Sequence, residues 1–179
     1  HRRARKSAGE KEVSLLIVED GFGVPDANVY ATLDAFKAYT PRGGLSIPTS
    51  ADDTALEKAL IRGTAYIEGA YSYRWPGYRM TQTQGLSWPR YEACDVDGYA
   101  LIGVPTGIKY ACFEAALIEL SEPGALTEAL EHGGMITREK VGNLETGYAS
   151  GAPVGMVYPV LKNCLSGILK GNGSVRLSR

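Results

Sequence analysis

Cysteine and histidine are scarce in this chain, with three Cys and two His among 179 residues. Cys94, Cys112 and Cys164 show no C-x-x-C spacing, and neither His1 nor His132 has a second ligand close by, which argues against a zinc site. The expected role of the thiols is that of small buried hydrophobes in a reducing compartment. Asp95-Val96-Asp97-Gly98 has the opening of a calcium loop but not its later ligands or closing glutamate, and reads as an Asp-Gly turn. Long apolar runs are also missing: none approaches the roughly 18 residues of a membrane span. The first segment has charge without a signal-like apolar centre, so a soluble, non-secreted protein is expected. There is no G-x-S-x-G, no P-loop and no H-E-x-x-H, and a Cys94 nucleophile would have only the remote His132 as base. Asp52 and Asp53 are better read as charge at a helix start. No catalytic, cofactor or metal residue is assigned, and no enzymatic activity is expected.

Acid is absent from the whole stretch after Glu145, where Lys162, Lys170, Arg176 and Arg179 give +4. Residues 1 to 12 carry five bases against two acids, and Val13 to Glu145 carries ten bases against eighteen acids, a net of −8. The overall charge of −1 therefore averages two basic ends and an acidic body. Such asymmetry points to partners at the termini more than to a uniformly basic nucleic-acid surface. Hydrophobic residues at 44 % and charged residues at 22 % fit one globular domain and not a disordered chain.

Residues 1–13 are polar and basic without apolar periodicity and read as a flexible arm. Ser14 to Val18 is a short apolar run ending at Glu19-Asp20-Gly21, an expected strand leading into a loop. Ala31 to Tyr39 suits a short helix, closed by Pro41 and Gly43-Gly44. From Ala51 to Tyr73 the spacing of Leu56, Leu60, Gly63, Ile67 and Tyr71 predicts an amphipathic helix, started by Ser50, Asp52 and Asp53. Gly63 costs about 1 kcal/mol relative to Ala inside a helix, so a close helix crossing is expected there. Pro105 to Ser121 is apolar on two sides, as befits a helix central in a bundle. Ala125 to Glu131 can add a helical turn. Met135–Val141 and Leu144–Tyr148 read as strands joined at Gly142-Asn143. Tyr158 to Leu169 defines a terminal helix, with a basic tail after it. The expected fold is mainly α: a small bundle of about four helices in one domain over 14–171, with one β-hairpin insertion at about 135–148, the arm 1–13 and a tail 172–179.

Between Arg74 and Gly98 lies a long loop with two tryptophans, expected to be pinned. Tyr71, Tyr73, Arg74, Trp75, Tyr78, Arg79, Trp88, Arg90 and Tyr91 interleave rings with positive charge, the combination that stacks bases and tracks phosphates. Tyr73, Arg74, Trp75, Arg79, Trp88 and Arg90 are the candidate contacts to single-stranded DNA. The favoured architectural reading has Trp75 and Trp88 stapling the loop to the bundle while the arginines pair with local acids, because the acidic body repels a phosphate backbone. A small-molecule-binding helical domain is a third possibility, on size and tyrosine content alone.

Ser14-Leu15-Leu16-Ile17-Val18-Glu19-Asp20-Gly21 with Pro25-Asp26-Ala27-Asn28 resembles the opening of tailed-phage proteins labelled DnaT-like single-stranded DNA-binding proteins. Ala59-Leu60-Ile61-Arg62-Gly63-Thr64 before Tyr66-Ile67, Thr83-Gln84-Gly85-Leu86-Ser87-Trp88-Pro89-Arg90, and Arg138-Glu139-Lys140-Val141-Gly142 before Tyr148 extend the resemblance across Ser14 to Gly171. The arm before Ser14 lies outside that pattern. The chain is also similar to the head-tail connector, or adaptor, proteins of long-tailed phages.

The connector resemblance implies a virion protein at the head-tail junction that forms a dodecameric ring with itself. Its implied partners are the portal protein, the next neck or tail-completion protein, and the genomic DNA passing through the lumen without sequence-specific contacts. It places portal docking at Leu161, Lys162, Leu165, Leu169, Lys170, Val175, Arg176, Leu177 and Arg179. The hairpin supplies a candidate edge for the ring interface at Met135, Ile136, Arg138, Lys140, Leu144 and Tyr148. An acidic lumen would let DNA pass without sticking. No cofactor is implied.

Overall fold

Helix capping and helix spacing set most of the architecture. The computed structural model describes residues 14–127, 138–141, 144–147 and 158–170. Helix α1 (Leu33–Arg42) starts at Thr32, whose side chain accepts the Ala35 N–H, and ends at Gly43. Helix α2 (Asp53–Tyr71) is capped by Asp52, whose carboxylate accepts the Ala55 N–H at 2.7 Å. Both caps satisfy a first-turn donor that has no partner inside the helix. Asp53 adds an ion pair to Lys37 of α1 at 2.7 Å. The reading of Asp52 and Asp53 as helix-start groups agrees with this geometry.

Helix α3 (Thr106–Ser121) lies between two apolar clusters, which is why it is apolar on two sides. Ile108, Ala111, Cys112 and Ala115 face one cluster with Tyr66, Ile67, Trp75 and Trp88. Phe113 and Ala116 face the other with Phe36, Leu56, Ala59 and Leu60. Gly63 of α2 makes the crossing: a Cβ there would lie 2.7 Å from the Ala116 nitrogen and 2.8 Å from the Cys112 carbonyl oxygen. The two backbones meet directly, as the sequence led one to expect. Of the thiols, Cys112 is buried, with burial pushing its pKa up, whereas Cys94 and Cys164 are only half-buried.

Helix α4 (Pro159–Leu165) packs on α3 through Leu161 and Leu165, and the following turn adds Ile168 and Leu169. Strands β1 (Tyr78–Arg79) and β2 (Arg90–Tyr91) form a two-residue antiparallel ribbon inside the long loop. Strands β3 (Arg138–Val141) and β4 (Leu144–Gly147) form the expected hairpin, with Val141 opposite Leu144 and Arg138 opposite Gly147. Gly124 is followed by a helical turn at 125–127. The fold is mainly α, a small bundle with a hairpin, in agreement with the sequence pattern.

One element differs from expectation. Ser14 to Val18 forms no strand and makes only an isolated parallel bridge between Val18 and Val29. Asn28 replaces the ladder: its side-chain oxygen accepts the Ile17 N–H at 2.8 Å and its amide donates to the Leu15 carbonyl at 2.9 Å. A side chain that mimics both halves of a peptide pairing leaves no regular backbone ladder to extend. Glu19 then shapes the next turn. Its buried carboxylate accepts N–H groups from Gly21, Gly23 and Val24, each at 2.9 Å. Asp95 organises its own loop similarly, accepting from Asp97 and Tyr99, as suits a turn and not an ion site.

Candidate nucleic-acid interface

The segment after α2 sorts its aromatic residues by burial. Trp75 and Trp88 are 1 % and 0 % exposed and meet edge to face, with ring centroids 6.1 Å apart. Both indoles therefore anchor the loop, and neither presents a face to solvent. This corrects their candidacy as base-stacking residues: a ring enclosed by protein cannot accept a base. Glu68 of α2 holds the same region, since its carboxylate accepts from the Tyr30 hydroxyl and from the Ser87 N–H and hydroxyl. The Trp88 N–H in turn donates to the Tyr30 oxygen at 3.2 Å. Burial, with the Glu68 carboxylate adding to it, pushes the Tyr30 phenol well above its usual pKa.

The arginines do not pair with local acids as the architectural reading expected. Arg90 donates to the carbonyls of Pro76 at 2.6 Å, Gly77 at 2.8 Å and Ser87 at 3.2 Å. Arg79 donates to the Gln84 carbonyl, and Arg74 to the Lys170 carbonyl at 3.3 Å. The reason is geometric: the loop turns its carbonyls inward, and a five-donor guanidinium satisfies several at once. Neutral carbonyls supply no opposite charge, and the Glu68 carboxylate, which makes no ion pair with Arg90, favours its charged form only through space. Arg79 and Arg90 stand directly opposite each other in the ribbon, a like-charge pairing that is unfavourable across strands. Burial also lowers the Arg90 pKa, and the Arg79 charge adds to that shift.

Tyr78 and Tyr91 are the other opposed pair of the ribbon, with rings 5.9 Å apart and about half of each residue exposed. Tyr73, just before the same loop, is 78 % exposed. Alternation in a strand places the two tyrosines on one side and the two arginines on the other. Gly77 permits the ribbon's tight entry, because it takes φ +64° and a Cβ there would fall 2.0 Å from the Tyr91 carbonyl oxygen. Tyr78 and Tyr91 belonged to the interleaved aromatic cluster but not to the six candidate DNA contacts. The signal for them was the phenol itself, which favours a half-exposed position, against the Trp-Pro pairs that favour burial.

The chain belongs to the DnaT-like family. A family model described as "Putative DnaT-like ssDNA binding protein" matches residues 14–179. That match covers nearly the whole chain, arm excepted, and agrees with the family-level part of the resemblance read from the sequence. No curated protein and no solved structure matches.

The remaining candidate residues fall elsewhere. Leu161 and Leu165 are fully buried and Leu169 nearly so, all in the chain's own core, which corrects their assignment as docking contacts. Their four-residue spacing serves the packing of α4 and the turn after it on α3. Lys162 and Lys170 are exposed. Lys170 also joins the loop, donating its N–H to the Arg74 carbonyl at 2.9 Å. For Arg138, Lys140 and Leu144 the backbone register is as given above. Met135, Ile136, Tyr148, Val175, Arg176, Leu177, Arg179, the arm 1–13 and the tail 172–179 lie outside the described residues. Among the described residues no three His, Cys, Asp or Glu side chains come together as a metal site, and no helix is long and apolar enough to cross a membrane.

Proposed function

We propose that the chain binds single-stranded DNA without sequence preference, across the ribbon β1–β2. The observation that carries this reading is the pair of opposed, half-exposed tyrosines backed by an opposed pair of arginines that donate to backbone carbonyls and make no ion pair among the described residues. Tyrosine faces stack on any base, and the guanidinium charges attract phosphate from the far side of a ribbon only one strand-pair thick. A bound phosphate also relieves the Arg79–Arg90 repulsion. Family membership supports the same reading. The acidic body opposes it electrostatically, so affinity is modest and confined to this face.

Titration of fluorescent oligo-dT at low and moderate salt tests the proposal. Stacking contributes about 1–3 kcal/mol per base. Replacing both Tyr78 and Tyr91 by Ala is therefore expected to weaken binding at least about tenfold. With two to three phosphates engaged, the slope of log K against log salt is about −1.4 to −2. Binding unchanged by the double substitution, or no binding at low salt, overturns it.

A second reading, the adaptor ring of the phage neck, draws on a different observation. Phe22 and Ile102 are 78 % and 90 % exposed, and their loops touch: a Cβ on Gly21 would lie 3.6 Å from Gly103 Cα. Large exposed apolar side chains on two touching loops suit a protein contact. In that setting the chain would be a non-enzymatic virion component, meeting copies of itself, the portal and the next neck protein around the DNA channel. Mass measurement of the protein alone and with a portal ring tests it, with Phe22→Asp plus Ile102→Asp expected to leave only monomer. A monomer under both conditions in the unsubstituted protein rejects the ring.

A further inference from the structure

A cleft of about 730 Å³ opens between α1 and α3, away from the ribbon, and has no role in either reading above. Its volume falls in the range of small-molecule sites. One wall is aromatic: the rings of Tyr39 and Tyr110 lie 4.7 Å apart, and Phe113 stands 5.2 Å from Tyr39. The Tyr39 hydroxyl donates to Glu114 at 2.6 Å, so this ring is held in place from the α3 side. Arg42, in the last turn of α1, and Lys109, in the first turns of α3, complete the lining with positive charge.

The charges of the cleft are unequally engaged. Glu19 lines it, but its carboxylate is taken up by three backbone N–H donors. Asp20 also lines it, and one of its oxygens accepts the Phe22 N–H at 2.9 Å. Arg42 and Lys109, in contrast, make no ion pair or side-chain hydrogen bond among the described residues, whereas Lys37 and Arg62 each have a carboxylate. The Glu19 carboxylate and one Asp20 oxygen are engaged by backbone donors, whereas the two cations are open. A planar ring wall beside two open cations matches a planar aromatic ligand that carries a negative group.

We infer that this cleft binds a nucleoside monophosphate, with its base against Tyr39 and Tyr110 and its phosphate between Arg42 and Lys109. Such a unit comes either free or as the phosphorylated end of a DNA strand. The site is independent of the ribbon and stands or falls separately from strand binding.

Calorimetric titration with dTMP, and with dT10 with and without a 5′-phosphate, tests the inference on four proteins: unsubstituted, Arg42→Ala plus Lys109→Ala, Tyr110→Ala, and Tyr78→Ala plus Tyr91→Ala. Each charge-assisted hydrogen bond is worth a tenfold change or more, so the double cation variant is expected to lose dTMP binding at least about tenfold. Tyr110→Ala, at a partly exposed ring, is expected to lose about fivefold or more through stacking. The ribbon variant is expected to bind dTMP as the unsubstituted protein does. A free nucleotide as ligand shows dTMP binding tighter than 5′-phosphorylated dT10 in the ribbon variant. A strand end as ligand shows the reverse, with the unphosphorylated oligomer weakest. Absence of dTMP and of phosphate-dependent dT10 binding overturns the inference. So does binding that survives both Arg42→Ala plus Lys109→Ala and Tyr110→Ala.

Discussion

Two glycines of one helix provide a test with opposite signs. Gly63 and Gly69 both lie in α2, and Ala at either position gains about 1 kcal/mol of helix propensity. Gly69 is exposed with nothing within 4 Å of a built Cβ, so Gly69→Ala keeps the gain and stabilises the fold by about 0.5–1 kcal/mol. At Gly63 the same methyl meets the Ala116 nitrogen at 2.7 Å and the Cys112 carbonyl oxygen at 2.8 Å. Those atoms belong to the backbone of α3 and have no rotamer to change. Relief requires α2 and α3 to separate by roughly 0.7 Å, a gap that forfeits a quarter to a half of each facing dispersion contact. Overpacking costs about 1–3 kcal/mol, and an immovable neighbour places this case near 3. After the propensity gain, Gly63→Ala loses about 2 kcal/mol. With a urea slope of about 2 kcal/mol/M, that lowers the unfolding midpoint by about 1 M, while Gly69→Ala raises it by a few tenths. Urea curves followed by tryptophan fluorescence and by circular dichroism measure both. A Gly63→Ala protein as stable as the unsubstituted one would refute the direct backbone contact.

Removing the Asp52 carboxylate as Asp52→Ala takes the cap from α2 and is expected to cost about 1 kcal/mol in the same urea assay. Glu68→Gln substitutes an NH₂ for one carboxylate oxygen, so one donor among Tyr30 and Ser87 loses its acceptor. A loss of about 1–3 kcal/mol and looser protection of the 85–90 amides in hydrogen exchange are expected. Burial raises the Tyr66 phenol from 10.0 to about 12. The unfolded chain thus releases this proton first, so stability is unaffected below about pH 10 and falls between about pH 10 and 12. Tyr66→Phe should make the alkaline fall shallower, and an unchanged slope in pH-dependent urea midpoints counts against a buried phenol.

The long helices were readable because their information is local. Asp52 stands one turn before Leu56, and Leu56, Leu60 and Ile67 repeat at helical spacing. Gly63 breaks propensity inside that stripe, and only a close neighbour explains such a break. The hairpin at 138–147 was equally local, set by a two-residue turn between alternating runs. What could not be read depended on pairings distant in sequence. Asn28 takes the place of a partner strand for Ile17, eleven positions away, and no short window shows it. In the aromatic loop the stapling role of Trp75 and Trp88 was legible, but only the register Tyr78 opposite Tyr91 showed which phenols share an exposed face. Arg90 was expected to find an acid because charge suggests charge, yet three inward-facing carbonyls lay closer. Leu161 and Leu165 carry a pattern that suits a partner's groove and the chain's own core equally, and burial decided between them.

The exchange between Arg74 and Lys170 links positions 96 residues apart, with each main chain in contact with the other residue. A nascent chain therefore exposes the whole aromatic loop well before the segment that fastens it has been synthesised. Ribosomes add about 5–20 residues per second, so the interval lasts several seconds. During it, Trp75 and Trp88 lack the cover that α4 and its following turn contribute. The order of synthesis leaves the loop's tryptophan anchors without that part of their cover until the terminal helix has emerged.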